Sequence, residues 1–369
     1  MAMRNLNRTM QEAMQLMHTG DLQAATRAIT RGLANHLPAE PMQARDGDLV
    51  TTYEVVDDDG ARIAPPATDI RSHTPAAAVD GGFNAHHFIC EAGSLTYKLF
   101  VPTGIDLNAP LPLIVMLHGC TQSPDDFARG TRMNALAQQA GYVIAYPAQS
   151  AKNNPGKCWN WFRRGDQERG RGEAALLAAL TSHLVATLSL DARRVYVAGL
   201  SAGGAMAAVL GQAYPDIFAA IGVHSGLACQ AAHDLPSALT AMREGIDPRV
   251  AKSRTTTVPA IVFHGDRDKT VDPGNAAAVV AESLGAAHAQ NGLPPATVVS
   301  GVTSNGRAFT RTIYTDAAGV VVAEQWLVHE AGHAWFGGDA AGSYTDQDGP
   351  DASAEMLRFF AVHRRGAVT

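Results

Sequence analysis

Short apolar runs alternate along most of this chain with longer stretches in which apolar residues return every three or four positions. "PLPLIVMLHGC", "GYVIAYPAQ", "RRVYVAG", "FAAIGVHSG" and "VPAIVFHGDRD" are runs of strand length that end in glycine or polar loops. Between them "RMNALAQQA", "GEAALLAALTSHLVATLSL", "GGAMAAVLGQAYP" and "NAAAVVAESLGAAHAQ" carry helical spacing, and "DASAEMLRFFAVHRR" closes the chain as a helix. Two segments, "HHFICEAGSLTYKLFVP" and "TRTIYTDAAGVVVAEQWLVH", read as hairpins. Strands that are apolar throughout, each followed by a helix, predict an α/β fold. Its sheet is mainly parallel, is covered on both faces, and follows an antiparallel start.

The same pattern divides the chain. Residues 1–35 contain "NRTMQEAMQLMHTGDLQAATRAITRGL", two short helices around a TGD turn, expected as a helical extension. Residues 36–82 are rich in Pro, Asp and Ala and read as a mobile linker. Residues 83–369 form the globular part.

Composition narrows the function. With 46% apolar residues and a net charge of −6, the chain can fill a large core but lacks the basic surface that nucleic acid demands. No apolar run is long enough to span a membrane, and "MAMRNLNRTMQEAMQLMHTG" has no continuous apolar stretch of signal-peptide type. A cytoplasmic chain is therefore expected, with export left open. Cys90, Cys120, Cys158 and Cys229 form no C-x-x-C pair and stand at no zinc spacing, so neither metal nor cofactor is expected.

The chemistry centres on "GLSAGG". Gly199-Leu200-Ser201-Ala202-Gly203 is a G-x-S-x-G frame between a predicted strand and a predicted helix, the context that presents a serine hydroxyl on a sharp elbow. A serine needs a base. His333 in "VHEAGHAWFGG" is the best placed, after the last apolar strand. His329 competes from the strand end, while His86, His87 and His288 read as surface residues. "HGDRDKTVDP" offers the acid as Asp266, Asp268 or Asp272, and Asp268 has the favoured loop position. The order serine, aspartate, histidine is that of the α/β-hydrolases. The backbone N–H groups of Cys120 and Ala202 are expected to form the oxyanion hole.

Together, "LHGCTQSPDDFARGTRMNALAQQAGYVIAYPAQ", "CWNWF", "GLSAGGAM", "HGDRDKTVDP" and "GHAWFGG" resemble the polyhydroxybutyrate depolymerase-like esterases of the α/β-hydrolase superfamily. These are relatives of the feruloyl and acetylxylan esterases. The resemblance covers about residues 83–363 and implies Ser201, Asp268 and His333 as a triad, Cys120 and Ala202 as oxyanion donors, and tryptophans lining the cleft. Trp159, Trp161 and Trp335, with Phe162 and Phe336, are the candidate aromatic wall, Trp161 and Phe336 being the nearer to core. The expected substrate is a small ester or a short-chain hydroxyalkanoate oligomer. The alternatives are a carbohydrate-linked feruloyl or acetyl ester, and a non-catalytic protein that binds a partner such as a granule surface. Cys120 and Cys158 follow neighbouring strand ends, within disulfide reach of each other. Whether they bond is open at this point, because a reducing compartment opposes it.

Overall fold

The computed structural model describes residues 52–55, 82–104, 109–248, 258–285, 296–316 and 318–366. The predicted helices of residues 7–35 lie outside the described residues. Strand β1 (Thr52–Val55) falls inside the stretch expected to be linker and pairs antiparallel with β2 (Phe83–Cys90). Sheet-forming chain thus begins earlier than the composition suggested.

An 11-stranded sheet runs in the order β1-β2-β3-β5-β4-β6-β7-β8-β11-β10-β9. β2 and β3 (Gly93–Phe100) are the expected first hairpin, and β3 passes antiparallel onto β5 (Val143–Ala148). From β5 the sheet is parallel through β4 (Leu113–Leu117), β6 (Val195–Leu200), β7 (Ala220–His224), β8 (Ala260–Gly265) and β11 (Val321–Val328). β10 (Ala308–Thr315) completes the second expected hairpin, and β9 (Ala296–Val302) adds an exposed edge strand that the apolar pattern did not predict.

The apolar strand runs follow from two-sided burial. Leu113, Val115 and Leu117 of β4 enter one core, whereas Ile114 and Met116 enter the other. β6 and β8 divide in the same way, with Val195 and Val262 on the first side and Tyr196 and Phe263 on the second. Helices α3 (Gly172–Thr187), α4 (Ala202–Ala213) and α6 (Gly274–Leu284) contribute to the first core. The second is supplied by α1 (Pro124–Thr131), α2 (Met133–Ala140) and α7 (Ala352–Val362). Every residue of α4 is buried, which is why it is apolar on all sides. α5 (Leu235–Glu244), capped by Asp234, is a further helix that was not anticipated.

A charged clamp holds the far side of the parallel sheet. Glu324 on β11 is buried and receives Arg311 of β10 at 2.8 and 3.0 Å and Arg358 of α7 at 2.6 Å. Burial alone would raise its carboxyl, but hydrogen bonds from Arg311 and Arg358 outweigh that and hold it below the usual range. Glu324→Ala is expected to cost about 2 kcal/mol, because it leaves the half-buried Arg311 guanidinium without its carboxylate, whereas the exposed Arg358 keeps Glu355 at 2.6 Å. The clamp's contribution is present above the unfolded glutamate pKa of about 4.3 and is lost as pH falls through the lower folded value. Urea midpoints at pH 7 and pH 3 should therefore show the variant's deficit shrinking in acid.

Candidate active site

Ser201 sits between β6 and α4 with φ 57° and ψ −119°, a backbone that a non-glycine residue rarely adopts. The flanking glycines make this turn possible. A Cβ on Gly203 would stand 2.0 Å from the Leu117 carbonyl oxygen, and one on Gly199 would stand 2.4 Å from the Gly203 carbonyl carbon. The Ser201 N–H donates to the His224 carbonyl of β7 at 2.9 Å, fixing the elbow against the next strand. Beneath it the His224 imidazole stacks on Trp335, accepts the Phe336 N–H at Nε2, and is held neutral by burial. Among the described residues the Ser201 hydroxyl makes no hydrogen bond to a protein group.

Asp268 and His333 meet at the same edge. His333 Nδ1 lies 2.7 Å from Asp268 Oδ2, and the carboxylate side chain is fully buried while the imidazole keeps slight exposure. A carboxylate can only accept, so Nδ1 carries the proton and Nε2 keeps its lone pair. Asp268 Oδ1 accepts the N–H groups of Thr270 and Val271 at 2.8 and 2.9 Å. Burial pushes this carboxyl upward, but hydrogen bonds from His264 and His333 dominate and hold it well below the ordinary range. It stays ionised. The loops can approach because residue 265 is glycine: a Cβ there would lie 2.3 Å from the Ala331 carbonyl oxygen.

The competitors are occupied elsewhere. His329 Nδ1 pairs with Asp266 after β8 at 3.0 Å and its Nε2 meets Thr310 Oγ1 of β10 at 2.9 Å, so both nitrogens are engaged. Asp272 accepts the Gly274 N–H at the start of α6.

The loop after β4 presents the Cys120 N–H, which among the described residues has no protein acceptor; nor has the Ala202 N–H at the first turn of α4. Cys120 and Cys158 form a disulfide, with Cα atoms 4.2 Å apart, and so join the loop after β4 to the CWNW loop after β5. Cys90 and Cys229 form none. Trp159 Nε1 donates to the His118 carbonyl at 3.1 Å, while burial brings the His118 imidazole down to about 4 and keeps it neutral. His118 then donates from Nδ1 to the Gly119 carbonyl and accepts the Gln149 N–H at Nε2.

The three tryptophans are not the wall they were expected to be. Trp159, Trp161 and Trp335 are 2, 4 and 1% exposed, so they support the loops from within and offer a ligand almost no surface. Trp335 packs edge-on to Phe127 in the second core and donates to Ser353 Oγ at 3.0 Å. Phe336 is fully buried and Phe162 partly so. Sequence reasoning also missed Glu173, whose buried carboxyl, raised by burial, accepts the Asn160 N–H and side-chain amide at 2.6 and 2.5 Å and the Gln149 amide. These residues lie far apart in the chain, and no spacing rule links them.

A parallel sheet that gathers a serine elbow, an aspartate–histidine pair and two unpaired N–H groups at one carboxyl edge is that of an α/β-hydrolase. The chain belongs to the Esterase PHB depolymerase family, which matches residues 95–298. That segment holds Cys120, Ser201 and Asp268, and the fold brings His333 to them from beyond it. The chain is 33% identical over 258 residues to Poly(3-hydroxyalkanoate) depolymerase C of Paucimonas lemoignei, covering 67% of this chain and 60% of that protein. It is 33% identical over 136 residues to Feruloyl esterase B of Neurospora crassa, covering 34% of this chain and 46% of that protein. The chain thus spans less than two thirds of either relative. An acetyl xylan esterase from Aspergillus awamori shares the fold with a TM-score of 0.57 at 17% identity, covering 72% of this chain and 94% of that chain.

Two stability predictions follow from this geometry. Gly203→Ala is expected to unfold the elbow or to cost more than about 3 kcal/mol, since neither carbonyl it meets can withdraw. Its unfolding midpoint decides this. Replacing both Cys120 and Cys158 with serine should cost about 4 kcal/mol, the loop-closure value for a bridge separated by 38 residues. Urea unfolding of wild type and double variant, each without reductant, gives the difference.

Proposed function

We propose that the protein is a serine carboxylic-ester hydrolase that acts through an acyl-enzyme on short-chain hydroxyalkanoate esters or oligomers. The observation that carries this reading is the 2.7 Å Asp268–His333 pair, which leaves the Nε2 lone pair free at the edge where the Ser201 elbow stands. His333 Nε2 takes the Ser201 proton as Oγ attacks the ester carbonyl carbon. The oxyanion that forms accepts from the Cys120 and Ala202 N–H groups. Its collapse breaks the carbon–oxygen bond, and His333 returns the proton to the leaving alcohol. Water then repeats the sequence on the acyl-enzyme and frees the acid. Asp268, ionised throughout, holds the imidazole tautomer and stabilises the imidazolium.

Family membership and the depolymerase relative support hydroxyalkanoate esters over the carbohydrate esters named for the other relatives. The Cys120–Cys158 bond supports an oxidising compartment, against the cytoplasmic site expected from sequence, because such bonds form and persist there.

Ser201→Ala is expected to lower p-nitrophenyl butyrate turnover at least a thousandfold with an unchanged unfolding midpoint. Asp268→Asn should lose about ten-thousandfold by admitting the wrong tautomer, whereas Asp266→Asn should stay within tenfold. If Asp266→Asn is the crippling change, the acid is misassigned. Hydroxybutyrate oligomers should be hydrolysed with higher kcat/KM than methyl ferulate or acetylated xylan, and the reverse order would refute the substrate class.

A further inference from the structure

Beside the oxyanion loop lies an open cleft of about 630 Å³ lined by residues of the 121–126 segment with Lys157, Ser343 and Tyr344, all of which carry polar or ionisable groups. It adjoins the reaction centre through the chain itself. Thr121 follows Cys120, Lys157 precedes Cys158, and the Thr121 N–H donates to the Gly156 carbonyl at 2.7 Å. With the bonded cysteines' Cα atoms 4.2 Å apart, the Lys157 Cα is no more than about 8 Å from that of Cys120.

The cleft is also unusually constrained. Thr121, Lys157 and Tyr344 have φ of 69°, 53° and 54°, left-handed values at residues that are not glycine. Such strain collects at ligand clamps, where the surrounding structure enforces it. Lys157 is held in place by its own N–H, which donates to the Asn154 carbonyl at 2.8 Å. Across the cleft Thr121 Oγ1 meets the Tyr344 hydroxyl at 3.4 Å.

Charge is distributed unequally between the cleft's two ions. The Asp126 carboxylate accepts the Ser343 N–H at 3.0 Å, the Gln122 amide at 3.1 Å and the Ser343 hydroxyl, so its lone pairs are engaged. Lys157 has no carboxylate partner among the described residues. The cleft therefore holds one satisfied anion and one cation available to a ligand. A hydroxy-acid oligomer has a single carboxylate, and at the terminal ester bond that carboxylate belongs to the alcohol half. Its acyl half ends in a hydroxyl. A cation beside the oxyanion loop can read only the departing hydroxy acid.

We propose that this cleft receives the alcohol half of the substrate and that Lys157 binds its free carboxylate, directing the enzyme to the ester bond nearest the acid end of short oligomers. The proposal rests on the serine-esterase reading given above. Hydrolysis there breaks the acyl carbon–oxygen bond and releases a hydroxy-acid monomer with its carboxylate still on Lys157, and water supplies the second oxygen of the acid left on the acyl side. Lys157 is a specificity residue and takes no part in proton transfer.

The test uses 3-butyryloxybutyrate and its methyl ester, with turnover read as release of butyrate; they share the acyl group, and the methyl ester removes the charge on the alcohol side. For the full-length protein the ratio of kcat/KM, free acid over methyl ester, should fall about tenfold in Lys157→Gln, mainly through KM for the acid. Lys157→Arg should keep most of the ratio, and 0.5 M NaCl should lower it in the wild type. A circular-dichroism melt of each variant separates lost folding from lost recognition. A ratio within twofold of wild type in folded Lys157→Gln overturns the proposal. If wild type turns over p-nitrophenyl butyrate but not 3-butyryloxybutyrate, this subsite assignment fails while the esterase reading stands. If it turns over no ester at all, the esterase reading is what has failed.

Discussion

The site depends on how closely two backbones approach at the end of the sheet. β4 and β6 are neighbours in register, Leu117 opposite Gly199, and the turn after β6 folds α4 back over the Leu117 and His118 carbonyls. Only residues without a Cβ fit there. This contact sets the Ser201 backbone in its strained conformation, with Ala202 following as the first residue of α4. It also brings the loop after β4 close to the end of β6, where a Cβ on Gly119 would stand 3.5 Å from the Leu200 carbonyl oxygen. One steric constraint thus positions both the proposed nucleophile and its proposed oxyanion donors.

Around that contact the protein spends its buried polar groups on holding loops still. His118, Trp159, Gln149, Asn160 and Glu173 link the loop after β4 to the CWNW loop by hydrogen bonds, and Cys120–Cys158 adds a covalent tie. His224 does the same under the elbow, joining β7 to Trp335 and Phe336. Buried neutral histidines suit the task, since each offers one donor and one acceptor in a flat, stackable frame. Rigid support of this kind is what electrostatic stabilisation of an oxyanion requires, because donors that need not reorganise cost nothing at the moment of reaction.

The parts of this arrangement that were legible in the sequence are those written locally. The strand–GLSAG–helix junction carries its own steric logic within a few residues, and the fully apolar strands announce a sheet covered on both faces. Asp268 and Asp266 are two positions apart on one loop; loop position favoured Asp268, and the three-dimensional partners, His333 for one and His329 for the other, separate them. Tryptophan in a loop has the same signature whether it faces a ligand or anchors the loop. Here the anchoring role prevails for Trp159, Trp161 and Trp335 because their rings fill space behind the site. The Glu173 network and the cleft around Lys157 join residues whose proximity exists only after folding. β9 escaped notice because its valines are exposed at the sheet edge and alternate with nothing buried.

The central claim is that Ser201, activated by His333, becomes covalently acylated. An alkyl fluorophosphonate tests this most directly, because it reacts with a serine only when a neighbouring base has made it nucleophilic. Intact-mass analysis should show one phosphonate per chain, mapped to the peptide containing Ser201, with ester turnover falling in proportion to labelling and no adduct in Ser201→Ala or His333→Ala. Turnover that persists with Ser201 fully labelled, or that is lost with the label on another residue, would contradict the account.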